Sequence, residues 1–211
     1  SVENFYTLAA QSNPNVTLYL QEGWHSLLSG TGVEVPFDNG GDVAWRERLD
    51  NDLPRWQGVV DKVRANTGGD IRLLPTGQAL GRLADAIQTG TVPGLQDIRD
   101  VFSDDIHPND IGFYYLALVQ YAVLTGNSPE GLPRVLKTEW GTAYKAPSAE
   151  LAQRLQANAL CLAFALSVFA VVTFISLANV GYEEPGANEM FAIMAVSYAI
   201  SCAIMAWRYY R

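Results

Sequence analysis

Two long apolar runs in the C-terminal part of the chain constrain its fold more than any other feature. The first, 159–178, lies within a stretch without charged residues that extends from Ala157 to Tyr182, and the second is Met190–Trp207. About 20 apolar residues in a helix span a hydrocarbon core of roughly 30 Å. We therefore predict a hairpin of two transmembrane helices, about 157–180 and 190–207. Two buried core helices are the alternative, but no other segment is apolar enough to cover them.

The charges that flank these runs predict an orientation. Lys145 and Arg154 precede the first run, Arg208 and Arg211 follow the second, and the connecting loop, 181–188, contains no Lys or Arg. Basic flanks favour the cytoplasmic side of a membrane. We therefore predict an integral membrane protein of the cell inner membrane, with the lipid bilayer as a partner and the preceding residues in the cytoplasm.

Residues 1–156 have the composition of an acidic globular domain. The chain has a net charge of −8, and the charged residues after residue 156 are only Glu183, Glu184, Glu189, Arg208 and Arg211. A nucleic-acid-binding surface requires a basic stripe, so we exclude nucleic acid as a partner. Both cysteines lie in the apolar part, and no zinc-ligand spacing is present. We predict no metal and no cofactor.

Strand and helix patterns alternate through residues 1–156. The strands are predicted at Asn15–Leu20 and Asp70–Leu74, and the helices at 2–10, from Val43 to Val63 with Pro54 as a kink, at 78–87, at 109–124 and after an N-cap at Ser148. This alternation is typical of a parallel α/β layer fold. Because two strands are too few to bury a core, we predict half of a larger domain, with another protein chain as a partner that completes the sheet or packs on the hairpin.

The segment Ser103–Asp110 is the strongest candidate for chemistry. Asp104 lies three residues before His107, and a carboxylate so placed can orient an imidazole and stabilise its cation, as a hydrolytic triad requires. Asn109 or Asp110 is predicted to cap the helix that follows.

This segment resembles the last sequence block of the SGNH (GDSL-type) hydrolases, in which Asp-x-x-His-Pro-Asn supplies two triad members. The strand and loop Leu18–His25 and the turn Leu74–Leu80 are similar to segments of one bacterial branch of that family, and the match runs from Asp104 to Pro133. The resemblance covers roughly residues 1–156. It implies an α/β fold with a partial three-layer SGNH-like (flavodoxin-like) parallel sheet, followed here by the two-helix transmembrane hairpin.

For function, the resemblance implies ester hydrolysis without a cofactor, with Asp104 and His107 as catalytic residues. Asp105 stands where the family usually has Gly. The Gly-Asp-Ser nucleophile block and the Gly and Asn of the oxyanion hole are not recognisable in this sequence. Ser26 lies in an active-site-like loop, but residues 23–27 do not form the constrained elbow that a nucleophile needs.

Two functions therefore stay open. The first is a membrane-anchored ester hydrolase, completed by an N-terminal half that is present in another chain or was removed from this one. The second is a non-catalytic accessory or assembly subunit of a larger membrane complex. His25 is interpreted as a pocket-lining or surface histidine. The tryptophans fit carbohydrate stacking or core packing, and the helical spacing of Trp45 and Trp56 favours packing.

Overall fold

The structure is a computed structural model that describes residues 1–35 and 42–160, which all belong to one compact unit, Ser1–Ala163. The regular elements are α1 (Val2–Ser12), β1 (Thr17–Gln21), α2 (Trp45–Thr67), β2 (Asp70–Leu74), α3 (Thr76–Gln88), a 3-10 turn (Ile98–Val101) and α4 (Asp110–Thr125). Residues 149–160 are also helical and are called α5. Both predicted strands are observed, within two residues at either end.

Side-chain caps place the ends of two helices where the sequence predicts them. At the start of α4, the Asn109 side chain accepts hydrogen bonds from the backbone N–H groups of Ile111 and Gly112, at 2.9 and 3.2 Å. At the start of α5, the Ser148 hydroxyl accepts the N–H of Leu151 at 3.1 Å. These bonds satisfy donors that have no partner inside the helix. The predicted caps at Asn109 and Ser148 are confirmed.

The two strands are parallel, and one face of their sheet carries a small apolar core. Leu18 pairs with Ile71 and Leu20 with Leu73, so the four side chains lie on the same face. The buried α2 residues Val60 and Val63 pack against this face, together with Val2 and Tyr6 from α1. Helices α1 and α2 therefore form one layer on the sheet.

The predicted three-layer α/β sheet is wrong. On the opposite face, Thr17 donates a hydrogen bond to Asp70 at 2.8 Å, and Asp70 forms an ion pair with the exposed Arg72. Parallel sheets that are covered on both faces are built from nearly continuous apolar strands, whereas β2 alternates exposed and buried residues along its first three positions. The described residues form a mixed helical structure with a two-stranded parallel sheet.

Buried polar bonds join α3, α4 and α5 at the other side of the unit. The hydroxyl oxygen of the fully buried Tyr115 lies 3.1 Å from the carbonyl oxygen of Ala79 and 2.6 Å from the side-chain oxygen of Asn158. The side-chain amide of Gln156 donates to the Tyr114 hydroxyl at 2.9 Å and to the Leu132 carbonyl at 2.8 Å. These contacts fix α4, whose first turn follows the Asp104–His107 segment.

The predicted membrane hairpin requires a correction. Within residues 1–35 and 42–160, no helix combines the length and the apolar character needed to cross a bilayer. The predicted spans, 157–180 and 190–207, lie outside the described residues apart from their first positions, 157–160. The integral-membrane assignment, with its cytoplasmic orientation, is therefore not supported by the part of the chain that the structure describes.

Candidate functional site

The candidate site lies where the two parallel strands end. The N–H of Glu22, directly after β1, donates to the carbonyl of Leu74, the last residue of β2, at 2.8 Å. The Thr76 hydroxyl at the start of α3 donates to the Glu22 carbonyl. Ligands of open α/β sheets bind outside the carboxyl ends of the strands. The loop after β1 and the turn after β2 therefore occupy the edge at which function is expected.

Asp104 and His107 form a hydrogen-bonded pair on an exposed loop. The His107 Nδ1 lies 2.8 Å from Asp104 Oδ2, and the two side chains are 72% and 50% exposed. A carboxylate only accepts, so Nδ1 carries the proton and Nε2 of the neutral ring keeps its lone pair. Nε2 has no partner among the described residues. The sequence-predicted pair is thus brought together, with one ring nitrogen open to solvent.

The carboxylate of Asp104 is also bound by the backbone of its own turn. Oδ1 accepts the N–H of His107 at 2.7 Å and the N–H of Ile106 at 2.8 Å. These two backbone bonds, and after them the His107 side chain, lower the pKa of Asp104 to about 2. The carboxylate is therefore charged at any physiological pH, which is the state in which it orients and stabilises an imidazolium.

The loop that carries this pair is closed at its base. The N–H and the hydroxyl of Ser103 both donate to the His107 carbonyl, at 2.8 and 2.9 Å, and Phe102 and Pro108 form an antiparallel bridge. The Asn109 side chain donates to the Phe102 carbonyl at 3.2 Å while it caps α4. The pair is therefore attached directly to the first turn of a buried helix.

A second loop, Trp24–Leu27, follows β1 and forms hydrogen bonds to the Asp104–His107 loop. The Trp24 indole N–H donates to the Ile106 carbonyl at 2.8 Å, and the Leu27 N–H donates to the Asp105 carbonyl at 2.7 Å. The Ser26 hydroxyl donates to the Asp105 carboxylate at 2.5 Å. The Asp105 side chain thus has a hydrogen-bond partner on the Trp24–Leu27 loop.

Ser26 does not have the surroundings of a nucleophile. Its side chain is almost fully buried, its hydroxyl proton is directed to Asp105, and its oxygen accepts the N–H of Leu28 at 3.1 Å. An activated serine donates instead to a general base and faces the substrate. This arrangement agrees with the sequence argument against Ser26.

The second histidine also pairs with an aspartate, which sequence reasoning missed. The His25 Nε2 lies 2.7 Å from Asp52 Oδ2 in the middle of α2, and Asp52 also pairs with Arg55 at 3.0 Å. No local signal predicts a contact between residues 27 positions apart. Within the described part of the chain, no group of three or more His, Cys, Asp or Glu residues is arranged to hold a metal ion.

Glu22 is a further residue at this edge that the sequence argument did not select. Its side chain is 1% exposed, and its carboxylate accepts the backbone N–H of Gln78 at 2.9 Å and the side-chain amide of Gln78 at 3.2 Å. Burial nevertheless raises the pKa of Glu22 above 4.5, because desolvation outweighs these bonds. A carboxylate directly after an apolar strand is the signal that would have identified it.

The raised pKa of Glu22 predicts a pH dependence of stability. Between pH 4.5 and the higher pKa of the folded state, the folded protein binds more protons than the unfolded chain. The free energy of unfolding therefore falls as the pH rises through this window. Glu22→Gln removes the titrating carboxyl group and keeps an acceptor for the Gln78 N–H. We therefore expect the free energy of unfolding of wild type to fall relative to that of this variant as the pH rises to neutral.

Urea denaturation at several pH values measures this difference, with Glu130→Gln, at an exposed position, as the matched control. Parallel wild-type and Glu22→Gln profiles above pH 4.5 would contradict the prediction. Glu130→Gln is expected to follow wild type throughout.

The described site contains an exposed histidine that is paired with a charged carboxylate. His107 Nε2 can accept a proton, and Asp104 stabilises the resulting cation. Within residues 1–35 and 42–160, no serine hydroxyl bonds to the imidazole ring of His107. Comparison with protein-family models, with curated protein sequences and with solved structures gives no match to this chain. The geometry of the site is therefore the basis for assigning a function.

Proposed function

We propose that this chain supplies the general base of an SGNH-like serine ester hydrolase, with His107 as the base and Asp104 as its orienting carboxylate. The observation that carries the proposal is the 2.8 Å contact between His107 Nδ1 and Asp104 Oδ2 on a loop held at the carboxyl end of a parallel sheet. The order and spacing of the SGNH-like segments support the same assignment.

The proposed reaction uses the open nitrogen of His107. As a serine oxygen attacks the carbonyl carbon of an acyl ester, its proton moves to Nε2, and the imidazolium is stabilised by Asp104. The bond between the carbonyl carbon and the alcohol oxygen then breaks, and the proton moves to that oxygen. The serine remains acylated. A water molecule then gives a proton to the same nitrogen and attacks the acyl-enzyme. The bond between the acyl carbon and the serine oxygen breaks, the imidazolium returns its proton to that oxygen, and the carboxylic acid is released. No metal or redox group takes part in this sequence.

In this proposal the nucleophile and the oxyanion donors come from a second polypeptide segment, because the described residues place no serine hydroxyl on the His107 ring. Ser26 is engaged by Asp105, and the Gln78 N–H at the start of α3 is engaged by Glu22. Oxyanion donors and the nucleophile account for most of the rate enhancement in such enzymes. We therefore expect the chain to hydrolyse esters only in an assembly that contains this second segment.

A fluorophosphonate probe tests the proposal on the native assembly. The assembly is purified through a tag on this chain, labelled, and the modified peptide is located by mass spectrometry. We expect a labelled serine on the second segment, and a strong loss of label in an assembly that carries His107→Gln. Asp61→Asn, at an exposed α2 position, is the matched control that keeps the label. An unlabelled assembly, or labelling that is unaffected by His107→Gln, would exclude the hydrolase.

The open strand edges favour one second candidate, a non-catalytic accessory subunit of a larger protein complex. β1 and β2 pair only with each other in the described residues, so each strand presents one unpaired edge, which natural proteins pair or cover. A labelled serine that depends on His107 would exclude this candidate. A stable partner chain without a labelled serine would favour it.

A further inference from the structure

We propose that Trp24 is a positioning residue for the Asp104–His107 pair, acting through the peptide groups that bind the Asp104 carboxylate. This inference rests on the proposed function for its catalytic meaning, but its structural content is independent of that function. Trp24 and Ile106 are 82 residues apart in the sequence, and no pattern in the sequence connects them.

The first link is a single peptide group. The Ile106 carbonyl accepts the Trp24 indole N–H at 2.8 Å, and the N–H on the other side of the same peptide bond, that of His107, donates to Asp104 Oδ1 at 2.7 Å. A peptide bond is planar, with its C=O and N–H antiparallel in the trans form. Holding the carbonyl therefore aims the N–H, and the bond at one end polarises the bond at the other.

The second link repeats this arrangement one residue earlier. The Asp105 carbonyl accepts the Leu27 N–H at 2.7 Å, and the N–H of the same peptide group, that of Ile106, donates to Asp104 Oδ1 at 2.8 Å. Both peptide groups that bind the carboxylate are thus held from the Trp24–Leu27 loop. The bond between Ser26 and the Asp105 side chain, at 2.5 Å, attaches the same two loops a third time.

The Trp24–Leu27 loop is itself fixed to the rest of the fold. It is separated only by Gly23 from the buried Glu22, whose backbone and side chain bond to β2 and α3, and the His25 carbonyl accepts the Trp45 indole N–H at 2.9 Å. The Asp104 side chain, by contrast, is 50% exposed. An exposed turn is ordered by the bonds that hold its peptide groups, so the Trp24–Leu27 loop adds support to the Asp104 turn beyond the bonds that close its base.

Trp24→Phe in the full chain is the direct test, because it removes the indole N–H and keeps an aromatic ring. The carboxyl 13C resonance of Asp104 and the amide exchange of His107 are measured by NMR. We expect the pKa of Asp104 to rise from about 2 toward 3.8, and the His107 amide to exchange about tenfold faster, equivalent to one lost hydrogen bond.

Trp56→Phe is the matched control. Trp56 packs near Gly23, next to the Trp24–Leu27 loop, and its indole N–H has no hydrogen-bond partner among the described residues. We therefore expect no change in the pKa of Asp104 or in the exchange rate of the His107 amide. Ser26→Ala is a second variant that keeps the test decisive if Trp24→Phe fails to fold, and we expect it to accelerate the exchange of the Ile106 amide. Unchanged Asp104 titration in a folded Trp24→Phe variant, or unchanged Ile106 exchange in Ser26→Ala, would overturn the proposal.

These readouts separate this inference from the proposed function. If the native assembly carries no fluorophosphonate-reactive serine, the hydrolase is excluded, whereas the NMR measurements still decide whether Trp24 orders the turn. If the assembly is active, Trp24→Phe is expected to lower kcat by about tenfold to a hundredfold, the effect of a misplaced base, with KM unchanged. A wild-type kcat in this variant would overturn the positioning role.

Discussion

In the active assembly, Asp104→Asn is expected to lower kcat/KM for a soluble acetyl ester by about 10³- to 10⁴-fold, as for triads that lose their carboxylate. An asparagine can turn its NH₂ group toward Nδ1 of His107, which favours the tautomer with the proton on Nε2. It also removes the charge that stabilises the imidazolium. His107→Ala is expected to cause a loss of similar size, because it removes the base itself. Initial rates with p-nitrophenyl acetate measure both.

The double variant distinguishes a catalytic pair from two independent surface residues. Residues that act as one unit have non-additive effects, so Asp104→Asn with His107→Ala is expected to be about as slow as His107→Ala alone. Asp61→Asn, an equally conservative change at an exposed aspartate, is expected to retain wild-type activity. Retention of activity within tenfold in Asp104→Asn would contradict the proposed role of the carboxylate.

Gly77→Ala is expected to destabilise the fold by up to about 2 kcal/mol, although it places alanine in a helix. A Cβ at this position would lie 2.4 Å from the carbonyl oxygen of Gly23 and 3.0 Å from the carboxyl carbon of Glu22. The first contact is with backbone, so relief requires movement of the loop after β1 away from α3. Overpacking of this kind costs about 1–3 kcal/mol or more, against roughly 1 kcal/mol gained from helix propensity.

Gly58→Ala is the matched control for this change. Gly58 lies within α2, and a Cβ there meets nothing within 4 Å, so the same substitution is expected to stabilise by up to about 1 kcal/mol. The midpoint of urea denaturation, at an unchanged m-value, measures both variants. Equal shifts for Gly77→Ala and Gly58→Ala would show that the close approach of α3 to the β1 loop does not constrain residue 77.

Local sequence patterns predicted the individual elements well. The strand at Asp70–Leu74 has the observed bounds, and Asn109 caps α4 as its position before an apolar run indicates. Helix α2 includes Pro54 and extends from Trp45 to Thr67, so the helix predicted from Val43 to Val63 is largely observed. These features depend on neighbouring residues, so a single sequence contains the information that determines them.

The layer architecture was not predictable in the same way. Alternating strand and helix patterns, together with the SGNH resemblance, favoured a sheet with helices on both faces. The Asp70–Arg72 ion pair and the Thr17–Asp70 hydrogen bond instead occupy the second face along the first residues of both strands. The alternation of exposed and buried residues at the start of β2 in the structure agrees with a sheet covered on one face.

The sequence by itself determined the Asp104–His107 pair, because an aspartate three residues before a histidine in a turn lies within reach of its ring. Only the tertiary structure decided what surrounds that pair. The contacts of Trp24 with Ile106, Ser26 with Asp105 and His25 with Asp52 join residues 82, 79 and 27 positions apart. They join the loop after β1 to the loop before α4 and to α2, and long-range contacts of this kind depend on how the elements pack rather than on local pattern.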